Sequence, residues 1–191
     1  AAHRDSRQTG RAGIGALDGP ARVAGVCVLS GLSSVPALSS AAVRALCGSD
    51  RPEVIDTAIL PGNRSPRGLS VMASILNQAG QPFPTWRGGR WQSARGWSDP
   101  APYALPGGLT RQGWQIEVPD LALFPGHFGA DSVIFRAGLE LAVMRYGLAA
   151  FAALRRRLPL PISPWLLGAF KRAADLLEPF GSGRGGMSVS V

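Results

Sequence analysis

The chain is poor in the residues on which metal, disulfide and acid–base chemistry depend. Its two cysteines, Cys27 and Cys47, have neither CxxC spacing nor a histidine beside them, which argues against a thiolate zinc site and against a disulfide framework. They read as reduced packing residues of a cytoplasmic protein. Of the two histidines, His3 stands in a polar lead-in and His127 between glycines in an expected loop. A lone loop histidine is capable of general acid or base work near neutral pH, but it reads first as a surface residue. Asp120 and Glu140 are isolated carboxylates, so no acid–base dyad and no metal site is indicated. Lysine is reduced to Lys171, and the net charge of +8 is carried almost wholly by arginine. Charge of that sign suits anionic partners such as phosphates and carboxylates.

Longer features are missing as well. Residues 141–154 contain Arg145 as their only charge, yet as a helix they would extend only about 21 Å, short of the roughly 30 Å hydrocarbon core. The first residues are polar and basic without an apolar run behind them, which excludes a secretory signal there. No internal repeat is present. The glycine-rich fingerprint of dinucleotide-binding folds is also lacking: Gly13-Ile14-Gly15 comes nearest, but Asp18 stands where a third glycine is required and no strand precedes it.

What is present is a globular composition. The 191 residues are 46% hydrophobic and 17% charged, enough for one core or for one domain and part of another. Val26, Cys27, Val28 and Leu29 form a short apolar run of the kind that fills a buried strand. Ser30, Gly31, Ser33 and Ser34 follow as a turn, and Pro36 suits the first turn of the next helix. A strand end feeding a helix N-terminus is where open α/β sheets hold ligands. Ahead of this run, residues 13–25 have helical spacing that suits a short helix packed on the sheet, although Gly19-Pro20 argues for a break or a late start. After it, residues 37–47 predict a helix with Leu38, Ala42, Ala45 and Leu46 as its apolar face, stopped by Gly48.

Alternation over residues 53–60 predicts a strand, and Leu69, Met72, Ile75, Leu76 and Ala79 predict an amphipathic helix. Trp86 and Trp91 flank Gly88-Gly89 as a tight hairpin. Residues 99–113 read as a Pro/Gly-rich surface loop and residues 119–129 as another loop. Residues 115–118 and 132–136 read as strands. Residues 139–154 and 165–177 predict helices, and residues 187–191 a last strand.

Three polar or mixed constellations stand out. In residues 61–68, Asn63, Arg64 and Arg67 leave a strand end between prolines and glycines, where guanidinium groups can clasp a carboxylate or phosphate. Ser33 and Ser34 lack the histidine and acid that a serine nucleophile needs, so they read as helix-capping or ligand-contacting hydroxyls. Arg87, Arg90 and Arg95 interleave with Trp86, Trp91 and Trp97, as single-stranded nucleic-acid binding requires. That tract is short, and a structural hairpin explains it as well, so nucleic acid is disfavoured. Two apolar segments flanking Arg155-Arg156-Arg157 leave interfacial membrane contact as a separate alternative.

The blocks GVCVLSGLSSVPALSSAAV, IDTAILPGNRSPRGLSVMASIL, WRGGRWQSARGW, SVIFRAGLEL and DLLEPFGSGRGGMSVSV, in that order, resemble the rear part of saccharopine dehydrogenase-like (saccharopine reductase-like) oxidoreductases. The resemblance covers roughly residue 13 to the C-terminus. It implies an α/β fold: the tail of a Rossmann-like dinucleotide-binding domain over residues 13–48 and a mixed α+β substrate and dimerisation domain over residues 49–191; residues 1–12, outside the resemblance and without apolar periodicity, read as a disordered lead-in. On that reading the chain is truncated at both ends. NAD(P) is then the cofactor of the complete protein, a small molecule its substrate and a homodimer its assembly. Gly31 and Leu32 are expected to face the cofactor, and Ser33, Ser34, Asn63, Arg64 and Arg67 the substrate. Because the phosphate-binding turn would lie upstream, this chain alone is expected to bind no cofactor and to be inactive. The catalytic residues stay open.

Overall fold

Strand β1 (Val54–Leu60) is where alternation in the sequence becomes two differently used faces. In the computed structural model, which describes residues 15–29, 32–66, 68–158 and 160–191, Ile55 and Ile59 face a core built with helices, while Ala58 and Leu60 pack under a hairpin. The described residues form a mixed α/β fold around a seven-stranded sheet. Its strands are β1, β2 (Pro82–Arg87), β3 (Arg90–Arg95), β4 (Ala101–Leu105), β5 (Leu109–Gln115), β6 (Ser132–Ala137) and β7 (Gly186–Ser190). The helices are α1 (Asp18–Ala24), α2 (Ser39–Cys47), α3 (Leu69–Gln78), α4 (Asp120–Phe128), α5 (Ala142–Arg157) and α6 (Pro164–Leu177).

The main path of the sheet runs β3-β2-β6-β1-β7. Strands β1 and β6 are parallel, from Val54 opposite Ser132 to Ile59 opposite Ala137, and every other pairing is antiparallel. With β1 on one side, β6 divides its other side between two hairpins. Val133 pairs with Trp86 of β2, whereas Arg136 and Ala137 pair with Gln115 and Trp114 of β5. The β2–β3 turn needs two residues with positive φ, and Gly88 (57°) and Gly89 (70°) supply them. Trp86 and Trp91 then meet directly across the hairpin, edge to face with ring centroids 5.2 Å apart.

Three apolar clusters result. Ile55, Val133 and Phe135 of the sheet pack on Val43 of α2 and on Leu121, Phe124 and Phe128 of α4. On the helical side, Leu76, Leu148 and Ala152 close over Trp97 and Trp114, whose rings stack at 5.8 Å with an interplanar angle of 1°. The third cluster joins Ala58 and Leu60 to Tyr103 and Leu105 of the β4–β5 hairpin. Helix α2 lies on the N-terminal side of the expected division at residues 48/49, and it sends Val43 and Cys47 into the first cluster.

Several expectations are corrected. Residues 26–29 are neither strand nor buried: Val26, Val28 and Leu29 are 59, 45 and 65% exposed, and none has a sheet neighbour among the described residues. Helix α1 begins at Asp18, the late start that Gly19-Pro20 favours, but it ends on Gly25 in the left-handed conformation and buries nothing, so it does not pack on the sheet as expected. In α2 the buried face carries Ser39 and Val43, while Leu38 and Leu46, expected inside, are more than half exposed. Residues 99–113 are not a loop but contain the hairpin β4–β5, turned at Gly107-Gly108. Residues 119–129 contain α4, despite Pro125 inside it. The strand expected at residues 115–118 ends at Gln115.

Candidate functional site

Ser33 occupies the N-cap position of an irregular helical turn, Ser34–Leu38, that includes a cis Val35–Pro36 bond. Its side chain caps nothing; the hydroxyls that fix this turn are those of Ser39 and Ser40, which donate to the Pro36 carbonyl at 3.0 and 2.6 Å. So fixed, the turn forms one wall of an open cleft of about 310 Å³. Leu32, Pro36, Ala37 and Ser40 stand on one side, and Leu123, Phe124 and His127 of α4 on the other. His127 sits exposed in the last turn of α4, its ring 4.6 Å from that of Phe128. The structure therefore brings Leu32, expected at the cofactor, opposite a histidine. Gly31, its neighbour in that expectation, lies outside the described residues, as does Arg67.

One helical turn before Leu123, Asp120 is 1% exposed, and neither carboxylate oxygen completes a hydrogen bond among the described residues. Burial pushes its pKa up to about 6; the nearby Ser39 hydroxyl and the backbone pull the other way without prevailing. The Ser39 hydroxyl is already committed to Pro36. Asp120 thus stands buried beside the serine turn without a hydrogen bond to it, and burial holds its carboxyl well above the ordinary carboxylate range.

The loop of residues 61–68 is built differently from what its arginines suggest. Asn63 is 3% exposed; its backbone N–H donates to Glu140 Oε2 at 2.6 Å and its Nδ2 to the Leu177 carbonyl at 2.7 Å. Arg64 reaches the Pro179 carbonyl, and its N–H the Ser182 carbonyl. Glu140 is the hub. It accepts from Arg111 Nη2 (2.8 Å), from the Ser182 N–H (2.8 Å) and from the Ser182 hydroxyl (2.6 Å). Burial alone would raise its pKa, but these donors and the Arg111 charge hold it below the ordinary value. Asn63 therefore ties its loop to Glu140 and to the last residue of α6, and only Arg64 of the described candidates here keeps an exposed side chain. Neither Asn63 nor Arg64 lines the cleft at Leu32 and His127.

A second polar network lies under the β4–β5 hairpin. Arg136 donates to Asp56 Oδ2 (3.2 Å), to Tyr103 Oη (3.0 Å), and to the carbonyl and carboxylate of Asp99 (3.0 and 2.9 Å). Tyr103 in turn donates to Asp56 Oδ1 at 2.6 Å. Burial and the Asp56 hydrogen bond push Tyr103 up to about 12. Burial would lower Arg136, but Tyr103, Asp56 and Asp99 outweigh it and raise its pKa. Every member is engaged, so the network holds the hairpin on the sheet and offers no open position to a ligand.

No protein-family model matches the chain, and no curated protein is similar to it. Among the described residues there is no group of three or more His, Cys, Asp or Glu side chains able to hold a metal ion, and no helix long and apolar enough to cross a membrane. The Trp/Arg tract presents little aromatic surface. Trp97 is buried and donates to the Arg145 carbonyl, Trp86 donates to the Ala130 carbonyl, and Trp91 alone of the three is mostly exposed.

In the sequence Asp120 and Glu140 read only as isolated carboxylates, because neither has a polar partner nearby in the chain. The partners of Glu140 come from residues 29 to 77 positions away, which no local spacing shows. Asp120 carried one usable signal: an acid just after a proline and ahead of an apolar run is a helix-start pattern.

Proposed function

We propose that the chain is the substrate-side part of an NAD(P)-dependent oxidoreductase of the saccharopine dehydrogenase-like type, with the cleft between residues 32–40 and α4 turned toward cofactor and substrate. The observation that carries this reading is the placement of Leu32 opposite His127 across an open and mostly apolar cleft. Apolar walls with a few polar groups at the rim are what small-molecule and cofactor sites are made of. The cofactor would supply the hydride; this chain's residues would supply the wall, an imidazole able to exchange a proton with bound substrate, and the buried Asp120 carboxyl behind them.

The exposed apolar run supports the finer fold. Val26, Val28 and Leu29 are not a strand here, but they have the composition of one and stand exposed with no sheet partner among the described residues, an apolar surface that an adjoining dinucleotide-binding sheet would cover. Residues 13–48 would then be the remnant of that Rossmann-like domain.

NADPH titration followed by fluorescence tests the proposal. The translation product of the whole reading frame should saturate at micromolar ligand, and residues 1–191 alone should stay unsaturated below a millimolar. Leu32→Arg in the whole product should weaken binding at least about tenfold, the loss expected when an apolar contact is replaced by an unpaired charge. Micromolar one-to-one binding by residues 1–191 alone, or an affinity indifferent to Leu32→Arg, overturns it.

A further inference from the structure

Strand β3 ends the sheet: it pairs with β2 and, among the described residues, with nothing on its other side. A strand in that position leaves a row of backbone groups open, and folded proteins generally blunt such a row with a proline, a bulge or a covering loop. None of these is found on β3 among the described residues. Its register with β2 runs unbroken from Arg90 opposite Arg87 to Arg95 opposite Pro82, and every residue of it except Ala94 is exposed.

Which groups are open follows from the partner strand. Pro82 and Pro84 lie opposite Arg95 and Ser93, and proline has no N–H to put into a ladder, so these are the pairs that exchange no hydrogen bonds. Alternation makes Trp86–Trp91 the third such pair, and Trp86 does pair on its other side with Val133 of β6. The N–H and C=O groups of Trp91, Ser93 and Arg95 therefore point away from β2. The Arg95 carbonyl is taken by the Ser98 hydroxyl at 2.6 Å. Trp91 and Ser93 are left each presenting a donor and an acceptor without a backbone partner among the described residues.

Charge narrows what can fill the edge. Residues 57–98 contain no Asp or Glu, and the two acidic residues that touch the hairpin are already engaged, Asp99 by Arg87, Arg136 and Gln115, and Asp131 by Arg51. The Arg90 side chain has no hydrogen bond or ion pair among the described residues, and Arg95 reaches only the Gly80 carbonyl, at 3.2 Å. Between these two cations Trp91, 52% exposed, offers an apolar face beside the open ladder. A second copy of the strand would bring four arginines together with no carboxylate among them. A phosphate backbone would satisfy the open N–H groups but has no donor for the carbonyls of Trp91 and Ser93. An extended peptide has both donors and acceptors, and acidic side chains on it answer the arginines.

We propose that the outer edge of β3 takes an extended acidic segment of another protein as an added antiparallel strand, with a carboxylate at each of Arg90 and Arg95 and an apolar residue opposite Trp91. The assignment does not rest on the oxidoreductase reading, because β3 contributes no residue to the cleft at Leu32 and His127.

The test is a titration of isotope-labelled protein followed by amide chemical shifts and hydrogen exchange. The probe is a cyclic hairpin peptide whose free strand reads Glu-Val-Thr-Val-Val-Glu, preorganised so that ordering does not mask the affinity. Binding should saturate and should slow exchange at the Trp91 and Ser93 amides. A probe with Lys in place of both Glu should bind at least about tenfold more weakly, since each end then sets like charges opposite each other. Ser93→Pro removes an outward N–H and none from the β2 ladder, a change that an edge strand tolerates, and it should weaken binding at least about tenfold. Arg90→Glu, which breaks no side-chain contact among the described residues, should weaken the Glu probe at least about threefold and strengthen the Lys probe; it decides the matter if Ser93→Pro fails to fold. Absence of saturable binding up to about a millimolar, binding that Ser93→Pro leaves intact, or equal binding of the two probes overturns the proposal. So does a dT oligonucleotide that moves these amides where the Glu probe does not, which would make the edge a nucleic-acid contact. Protection of the same amides without probe, in a dimer seen by light scattering, would overturn it in favour of a second copy of this chain.

Discussion

Replacing Asp120 by asparagine should flatten the pH dependence of stability above the acid range. The carboxyl is buried, lacks a hydrogen-bond partner among the described residues, and has its pKa pushed up to about 6 from an ordinary 3.8. In the unfolded chain the proton leaves near the ordinary value; in the folded protein it stays until the raised one. Over that window the native state binds the extra proton, so stability falls as pH rises. Roughly two units at ~1.4 kcal/mol each set the loss at up to about 3 kcal/mol by neutral pH. Asparagine has nearly the shape of the protonated acid and no charge to bury. The stability of Asp120→Asn minus that of the parent should thus be near zero around pH 4 and climb toward ~2–3 kcal/mol by about pH 7, the upper end being the full linkage value. Urea melts at several pH values, read by tryptophan fluorescence, measure this directly. Asp99 and Glu140, whose pKa values are lowered, give stability that is lost on acidification, but they are common to both proteins and cancel in the difference. Parallel pH curves for the two proteins, or a parent that gains on the variant as pH rises, would refute the reasoning.

Arg136→Met should destabilise by about 3 kcal/mol, the low end for breaking a buried pair because Asp99 keeps some solvent, whereas Arg51→Ala at the exposed Arg51–Asp131 pair should cost no more than about 1 kcal/mol in the same urea melts. Glu140→Gln should cost about 1–3 kcal/mol at neutral pH and speed hydrogen exchange at the Asn63 and Ser182 amides. Because the folded pKa of Glu140 is lowered, that difference should disappear as pH falls through the folded value.

The parts of the fold legible in the sequence are those with local causes. Helix α3 follows from the spacing of Met72, Ile75 and Leu76, the β2–β3 hairpin from Gly88-Gly89 between tryptophans, and β1 from its alternation. The hairpin β4–β5 was hidden by its prolines and glycines. Pro102 is tolerated because β4 pairs only with β5 and leaves its other side free of a ladder. Helix α4 was masked by Pro125 and Gly126, and it persists because Leu121, Phe124 and Phe128 are held in the core. Residues 26–29 show the opposite failure: an apolar run states what a strand would need and not whether neighbours are present. At the candidate site, Leu32 and His127 were both noticed but not connected, since their meeting depends on how α4 packs against α2. The sequence marks Asp120 as a helix start but not its burial, which depends on the same packing.

The position of β7 bears on the order in which the protein can be assembled. Strand β1 is flanked by β6 and β7, and Asp56 lies opposite Ser190, 134 positions later. At ~5–20 residues per second, a nascent chain spends roughly seven to thirty seconds between making the two. During synthesis β1 emerges with both edges bare, acquires β6 on one side first, and keeps the other side unpaired until β7 leaves the ribosome. A strand that is interior in the finished sheet is thus, during translation, an exposed edge, and a chaperone bound over residues 54–60 would have that interval in which to act.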